Sequence, residues 1–470
     1  MAGITTNSAT ASNELKYDAS QSYAKPLMVV TLLFFMWGFI TCMNDILIPK
    51  LKDVFTLQHW QAMLIQTAFF GAYFIISLLY FIFSITKGDP IMKIGYKNGI
   101  IVGLIVAAIG CVLFYPAAGL HSYGFFLLAL FVLASGITIL QIAANPYVAI
   151  LGPPEGSSSR MNLTQALNSL GTTIAPLIGG YLIFEATQQV GESAADSVKI
   201  PYLGLAATLL VIAFIIKLSR LPQVVGEGKI VADSGALQHR HLVLGIICIF
   251  MYVGGEVAIG SALIGFFELP QIAGLPEAEA KYYLAFYWGG AMIGRFFGAV
   301  GLAQFRSAIY KYLIIGIISA VTFLTIYVLY DLNLALLTLG LVAVNVLVLL
   351  LGRFIPHKTL GFYATTVILL LLLTIFTQGQ LAMWSVIAIG LFNSIMFPTI
   401  FDLAIKDLGL HTSQGSSLLV MAIVGGAIIP PLQGAVADFT GNLQLSFCVP
   451  LLCYIYIVYY GFKGYRIKNG

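Results

Sequence analysis

Residues 359–377, TLGFYATTVILLLLLTIFT, carry no charge, and apolar runs of similar length recur along the whole chain. A helix needs about 20 such residues to cross a hydrocarbon core of ~30 Å, so each run reads as a membrane span. Composition points the same way, with 59% of residues hydrophobic, 9% charged and a mean hydropathy of +0.95. Soluble domains carry about 25% charged residues, so a water-soluble protein is excluded.

Between polar breaks the runs fall at about 27–49, 62–85, 99–120, 124–150, 162–186 and 202–219. After a polar stretch from Arg220 to His241 they resume at about 242–268, 281–303, 308–330, 332–351, 359–377, 381–405, 414–438 and 442–463. This predicts an all-α membrane protein of about fourteen transmembrane helices. The polar stretch, with Pro222 and three glycines, reads as a linker. The expected plan is a tail at 1–24, one half at 25–220, a linker at 221–241, a second half at 242–464 and a tail at 465–470. Residues 1–24 lack the basic start, apolar stretch and cleavage site of a signal peptide, and are expected to stay in the cytosol.

Charge tests the helix count, because cytoplasmic loops carry the excess of Lys and Arg. With both termini inside, 18 of these residues lie on the inner side, only Lys50, Lys52, Lys199 and Lys281 on the outer side, and Arg295 within a span. The net charge of +4 therefore describes topology and not a nucleic-acid partner.

Two stretches echo one another. GTTIAPLIGG, from Gly171, recurs as GGAIIPPLQG, from Gly425, an offset of 254. FFMWG near Phe35 resembles IFMYVG near Phe250, and Phe70-Gly71 resembles Trp288-Gly289, with offsets near 217. The difference of about 36 residues matches two short spans, so 304–352 reads as a helical hairpin inserted into a six-plus-six plan and placed at the lipid-facing periphery.

The five cysteines sit in apolar runs without a CxxC, and the six histidines fall in loops or at helix ends. Neither a metal site nor a cofactor is expected. Charges deep in a bilayer cost about 2.5 to 3.5 kcal/mol and are functional candidates. Asp45 shares a face of the first span with Gly38 and Thr41, and Glu256 stands near the middle of the seventh. A carboxylate that takes up a proton in a dry site and releases it in a wet one is what proton coupling needs; a structural ion pair or a helix-end charge is the alternative.

Neutral amides supply the rest: Gln141 with Asn145, Gln165 with Asn168, Asn393, and Asn44 next to Asp45. Amides offer donors and acceptors together, which suits a polyhydroxyl ligand. Trp37, Phe39, Tyr252 and Trp288 add flat apolar surfaces, and the set reads as a sugar site. Interhelical hydrogen bonds, about 0.6 kcal/mol each, are the alternative for any one amide. Apart from lysines at span ends, Arg295 is the one basic residue within the spans, which disfavours anionic substrates. Pro146, Pro176, Pro398 and Pro430 mark spans that can bend.

FFMWGFITCMNDILIPKLK, GITILQIAANPYVAILG, RMNLTQALNSLGTTIAPLIGG, YVGGEVAIG, FYWGGAMIGRFFG and GLFNSIMFPTIF together resemble the major facilitator superfamily, and within it the fucose permease and glucose/galactose transporter family. The resemblance spans almost the whole chain. It implies alternating access across the bacterial inner membrane, with the sugar taken up alongside a cation, usually a proton and otherwise sodium; a monomer is expected. Asp45 matches the position this family uses for proton coupling. Fucose permeases carry Glu where this chain has Gln141, and Gln where it has Glu256, so the exchange favours the glucose/galactose branch. The loop KGDPIMKIGYKNG only loosely resembles the superfamily's loop between helices two and three. The alternatives are a fourteen-helix drug:proton antiporter and a fucose or N-acetylglucosamine permease of the same family; a sugar-sensing or lipid-modifying protein lacks any catalytic constellation.

Overall fold

A computed structural model of the chain describes residues 23–57, 59–180, 198–222, 232–305 and 307–467. Helices account for nearly all of it: α1 Ala24–Val54, α2 His59–Lys87, the short α3 Pro90–Ile94, α4 Tyr96–Gly119, α5 Tyr123–Ile150, α6 Ser157–Gly180 and α7 Lys199–Leu218 form a first set. The second set is α8 Arg240–Glu268, α9 Glu277–Gly301, α10 Ala308–Leu329, α11 Leu332–Leu351, α12 Pro356–Phe376, α13 Gly379–Asn393, α14 Met396–Ile405, α15 Thr412–Met421, α16 Gly425–Thr440 and α17 Cys448–Tyr459, which ends in a π-helical turn, Tyr460–Gly464.

Twelve stretches are long and apolar enough to cross a membrane, with α13–α14 and α15–α16 each making one. The helices α6 and α9, of 24 and 25 residues, are as long but more polar. With them the described residues contain fourteen long helical passes. These two pack against each other, which is why their polar residues escape lipid. Large exposed apolar side chains such as Leu79, Phe83, Phe214 and Leu369 cover the outside, a surface suited to lipid.

The repeated motifs make equivalent helix crossings. A Cβ on Gly171 of α6 would lie 2.1 Å from the Phe35 carbonyl oxygen of α1, and a Cβ on Gly425, at the start of α16, would lie 2.1 Å from that of Phe250 on α8. Glycine at both positions lets backbones touch, the usual basis of tight helix packing in lipid. The two FFMWG-like segments thus meet the two GG-containing segments in the same way.

Breaks and ends follow from local chemistry. Pro398 has no N–H to return to the Ser394 carbonyl, and the helix parts between α13 and α14 at Ser394–Ile395. The freed carbonyls find side-chain donors: Tyr252 Oη gives a 3.0 Å bond to Asn393 O, and Arg295 Nε a 3.2 Å bond to Ser394 O. In contrast α5 runs unbroken through Pro146. At its end Arg160 donates to the carbonyls of Val148, Ala149 and Pro153 at 3.1, 2.6 and 2.8 Å, a cation satisfying a helix C-terminus.

Helices α10 and α11 form a hairpin on the outside of the bundle, and Ile315 and Thr322 are the buried residues of α10. Polar contacts anchor the hairpin inward on both arms, from Lys311 Nζ of α10 to Gly301 O of α9 at 2.7 Å and from Tyr363 Oη of α12 to Asn345 Oδ1 of α11 at 3.0 Å.

Candidate functional site

The helices that meet at the centre of the bundle carry the predicted amides and aromatics to two facing clusters. On the first set, Tyr73 of α2 brings its hydroxyl close to Trp37 and Thr41 of α1 and to Gln141 of α5. Gln141 and Asn145, one helical turn apart, are fully buried, and none of their four side-chain amide atoms makes a hydrogen bond of good geometry, although the Tyr73 hydroxyl lies beside Gln141. Gln165 Nε2 on α6 is also buried and unpartnered. Leaving such groups unsatisfied in a protein interior costs about 1 to 3 kcal/mol each, and the cluster holds several unused donors and acceptors. Asn168 behaves differently, for its Nδ2 gives a 3.0 Å bond to Phe34 O and ties α6 to α1. The side chains of Asn44 and Asp45 on α1 lie outside the described residues.

On the second set the polar groups are mostly committed to one another. Asn393 of α13 donates to Tyr287 Oη at 2.9 Å and accepts from Tyr454 Oη at 2.6 Å. Tyr287 Oη in turn gives a 3.1 Å bond to Glu256 O. The carboxyl group of Glu256 lies beside the Tyr252 hydroxyl, with Arg295 as the charge acting on it, and its Oε1 is buried without a partner. Phe39 is buried against Phe35, their ring centres 6.4 Å apart, whereas Trp288 is 44% exposed.

Trp288, Met292 and Arg295 follow one face of α9, and this face meets α6. Met292 Sδ lies 3.7 Å from Thr173 Oγ1, and Arg295 Nη1 donates to Ser169 Oγ and, at 3.4 Å, to Gln165 O. Trp288 lies further along that face and is partly exposed.

Below this level the two sets close on each other. Asp402 of α14 accepts from Ser157 and Ser158 at the N-terminus of α6, where the helix dipole favours a negative charge. Asp89 caps α3 through the amides of Ile91 and Met92 and also accepts from Ser413 of α15 at 2.8 Å. Gln414 donates to Ser84 at 3.1 Å and to Asp233 O at 2.9 Å, while its Oε1 accepts from Ala236 N at 3.0 Å, so the linker end is clipped to the same junction. His239 sits there with His241 and His411, ring centres 5.7 and 6.3 Å away, and burial with the nearby His411 charge lowers its pKa below the ordinary histidine value. Among the described residues no group of three or more His, Cys, Asp or Glu is placed to hold a metal ion.

Sequence reasoning missed Asp402, Tyr73, Tyr287 and Tyr454. Asp402 closes the apolar run 381–405, where it passes for a helix-end charge; the tyrosines count as apolar in a hydropathy reading.

No family model matches the chain. It is 50% identical over 450 residues, 95% of each chain, to a glucose/galactose transporter of Brucella abortus biovar 1 (strain 9-941). It is 32% identical over 475 residues, 96% of this chain and 95% of the relative, to the L-fucose-proton symporter of Escherichia coli (strain K12). This chain belongs to their family of sugar transporters. A crystal structure of the major facilitator superfamily transporter FucP in the outward conformation superposes with a TM-score of 0.74, at 32% identity, over 94% of this chain and 99% of that one. The fold is therefore that of the major facilitator superfamily, and the protein is a multi-pass membrane transporter.

Proposed function

We propose that this transporter imports a hexose of the glucose/galactose type together with a proton, by alternating access across the bacterial inner membrane. The observation that carries the reading is the set of buried, unpartnered amide atoms on Gln141, Asn145 and Gln165. They present donors and acceptors side by side, the mixture that ring hydroxyls present in return. Tyr73 and Trp37 on one side and Trp288 on the other supply flat faces for the apolar side of a pyranose. Asn168 and Asn393 shape the site by holding backbone and tyrosines, and Tyr252 by satisfying the broken helix. The relatives are named for glucose and galactose at 50% identity and for fucose with a proton at 32%, in agreement with this chemistry.

In this reading Asp45 and Glu256 are the proton-carrying carboxyls, and Asn44 assists at the first of them. Residues 25–220 and 242–464 are the two rocking halves, joined by the linker 221–241, with the α10–α11 hairpin an insertion within 304–352. The contacts of Asp402, Asp89 and Gln414 shut the end that carries most of the Lys and Arg. By the positive-inside rule this end and both termini face the cytoplasm. The transporter works as a monomer, since each chain holds a complete site.

Labelled galactose uptake, with unlabelled glucose as competitor, tests the reading. Gln141→Leu combined with Asn145→Ala removes two ligand hydrogen bonds worth about 0.5 to 1.5 kcal/mol each, so half-saturation should rise by roughly tenfold. An unchanged half-saturation would return both amides to helix packing.

A further inference from the structure

Away from the central site, a cavity of about 420 Å³ opens where α11 ends and α12 and α17 meet, lined by Leu351, Arg353, His357, Lys358, Phe362, Phe462 and Arg466. Three of these side chains are permanent cations. No carboxylate pairs with any of the three among the described residues, and the charges acting on His357 are Lys358, Arg466 and Lys406, all positive. Self-repulsion of this kind is costly unless an anion relieves it.

The backbone adds to the same field. Helix α12 begins here, and its N-cap, Ile355, makes no side-chain hydrogen bond to the first turn. A helix of 21 residues therefore turns uncapped amides and the positive end of its dipole toward the cavity. Arg353 and Phe354 both take left-handed conformations, φ 53° and 55°, which non-glycine residues adopt at some expense in strain. That turn carries Arg353 to the cavity instead of continuing α11.

The other wall is apolar and reaches toward the bilayer. A Cβ on Gly461 would lie 2.7 Å from Gly361 N, so the π-helical turn presses on α12 and lays Phe462 over Gly361. Phe462 then packs edge-on against Phe362, with ring centres 5.6 Å apart. All three helices begin or end a candidate membrane span here, which puts the cations at headgroup depth and the phenylalanines one turn deeper.

We infer that this cavity binds an anionic phospholipid, its phosphate held by Arg353, Lys358, Arg466 and the α12 amides and its acyl chain running along Phe362 and Phe462. Basic pockets between transmembrane helices recognise phosphate headgroups in this manner. A free phosphate would satisfy the cations but leave the phenylalanine wall unused.

Purified protein is titrated with dioleoylphosphatidylglycerol, dioleoylphosphatidylcholine and inorganic phosphate, with binding read by native mass spectrometry and by the melting temperature. The phosphatidylglycerol should bind and raise the melting temperature, and the other two should do neither. R353Q/K358Q/R466Q should bind it on the order of 100-fold more weakly, about fivefold for each charge removed. R466Q alone, an exposed change, should show the single fivefold step, and K87Q/K93Q, basic residues outside the cavity, should bind normally. Equal binding of phosphatidylcholine, an equal effect of inorganic phosphate, or undiminished binding by both R466Q and the triple variant would overturn the inference.

Discussion

Asp45→Asn is expected to abolish accumulation of sugar while leaving sugar exchange intact. One proton carried inward down ~100 mV supplies about 2.3 kcal/mol, enough for roughly fiftyfold accumulation. Asparagine keeps the size and polarity of the side chain and removes its proton, so the driving force goes and the amides of Gln141 and Asn145 still bind. In energised vesicles the internal to external ratio of labelled galactose should fall from roughly fiftyfold to about one, with counterflow still measurable. Normal accumulation by the variant would remove Asp45 from the coupling path and leave Glu256, whose Oε1 is buried and unpartnered, as the remaining carboxyl.

The second large effect is structural. In Gly171→Val a side chain must enter where a Cβ alone would stand 2.1 Å from the Phe35 carbonyl oxygen, and backbone cannot step aside as a flexible side chain does. Overpacking of this kind costs about 3 kcal/mol at its upper end. Since α6 also carries Gln165 and Ser169 to the junction with Arg295, the displaced helix would disturb the site along with the fold. The variant should melt well below the parent protein and show little transport. Gly434→Ala is the matched control, because a Cβ there meets nothing within 4 Å and alanine favours a helix over glycine by about 1 kcal/mol. Equal melting temperatures for Gly171→Val and the parent would mean that the crossing is looser than described.

Most of the architecture was legible because membrane spans announce themselves by length and hydropathy. Even α6 and α9, too polar to pass a strict hydropathy test, were readable from the breaks around them and from the alternation of Lys and Arg. The shared glycine motif pointed to equivalent helices, and the crossings at Gly171 and Gly425 give that repeat a steric meaning. Legibility fails where function depends on a partner from distant sequence. Gln141 and Asn393 look alike as single amides in apolar runs; one is left without a partner, while the other is saturated by Tyr287 and Tyr454 from α9 and α17. No periodicity within either segment separates them. Asp402 is similar, since only the serines at the start of α6, some 245 residues earlier, turn it from a helix-end charge into a tie between the two helix sets. Pro398 marked a bend correctly in its span, but the identity of the donors to the freed carbonyls, Tyr252 and Arg295, required the packed structure.

Proton-coupled hexose uptake is tested most directly by the external pH of lightly buffered, de-energised cells expressing the protein, on addition of galactose or glucose. The account predicts alkalinisation of the medium as sugar and proton enter together, and none in cells expressing Asp45→Asn. Labelled sugar uptake without any pH change would contradict it.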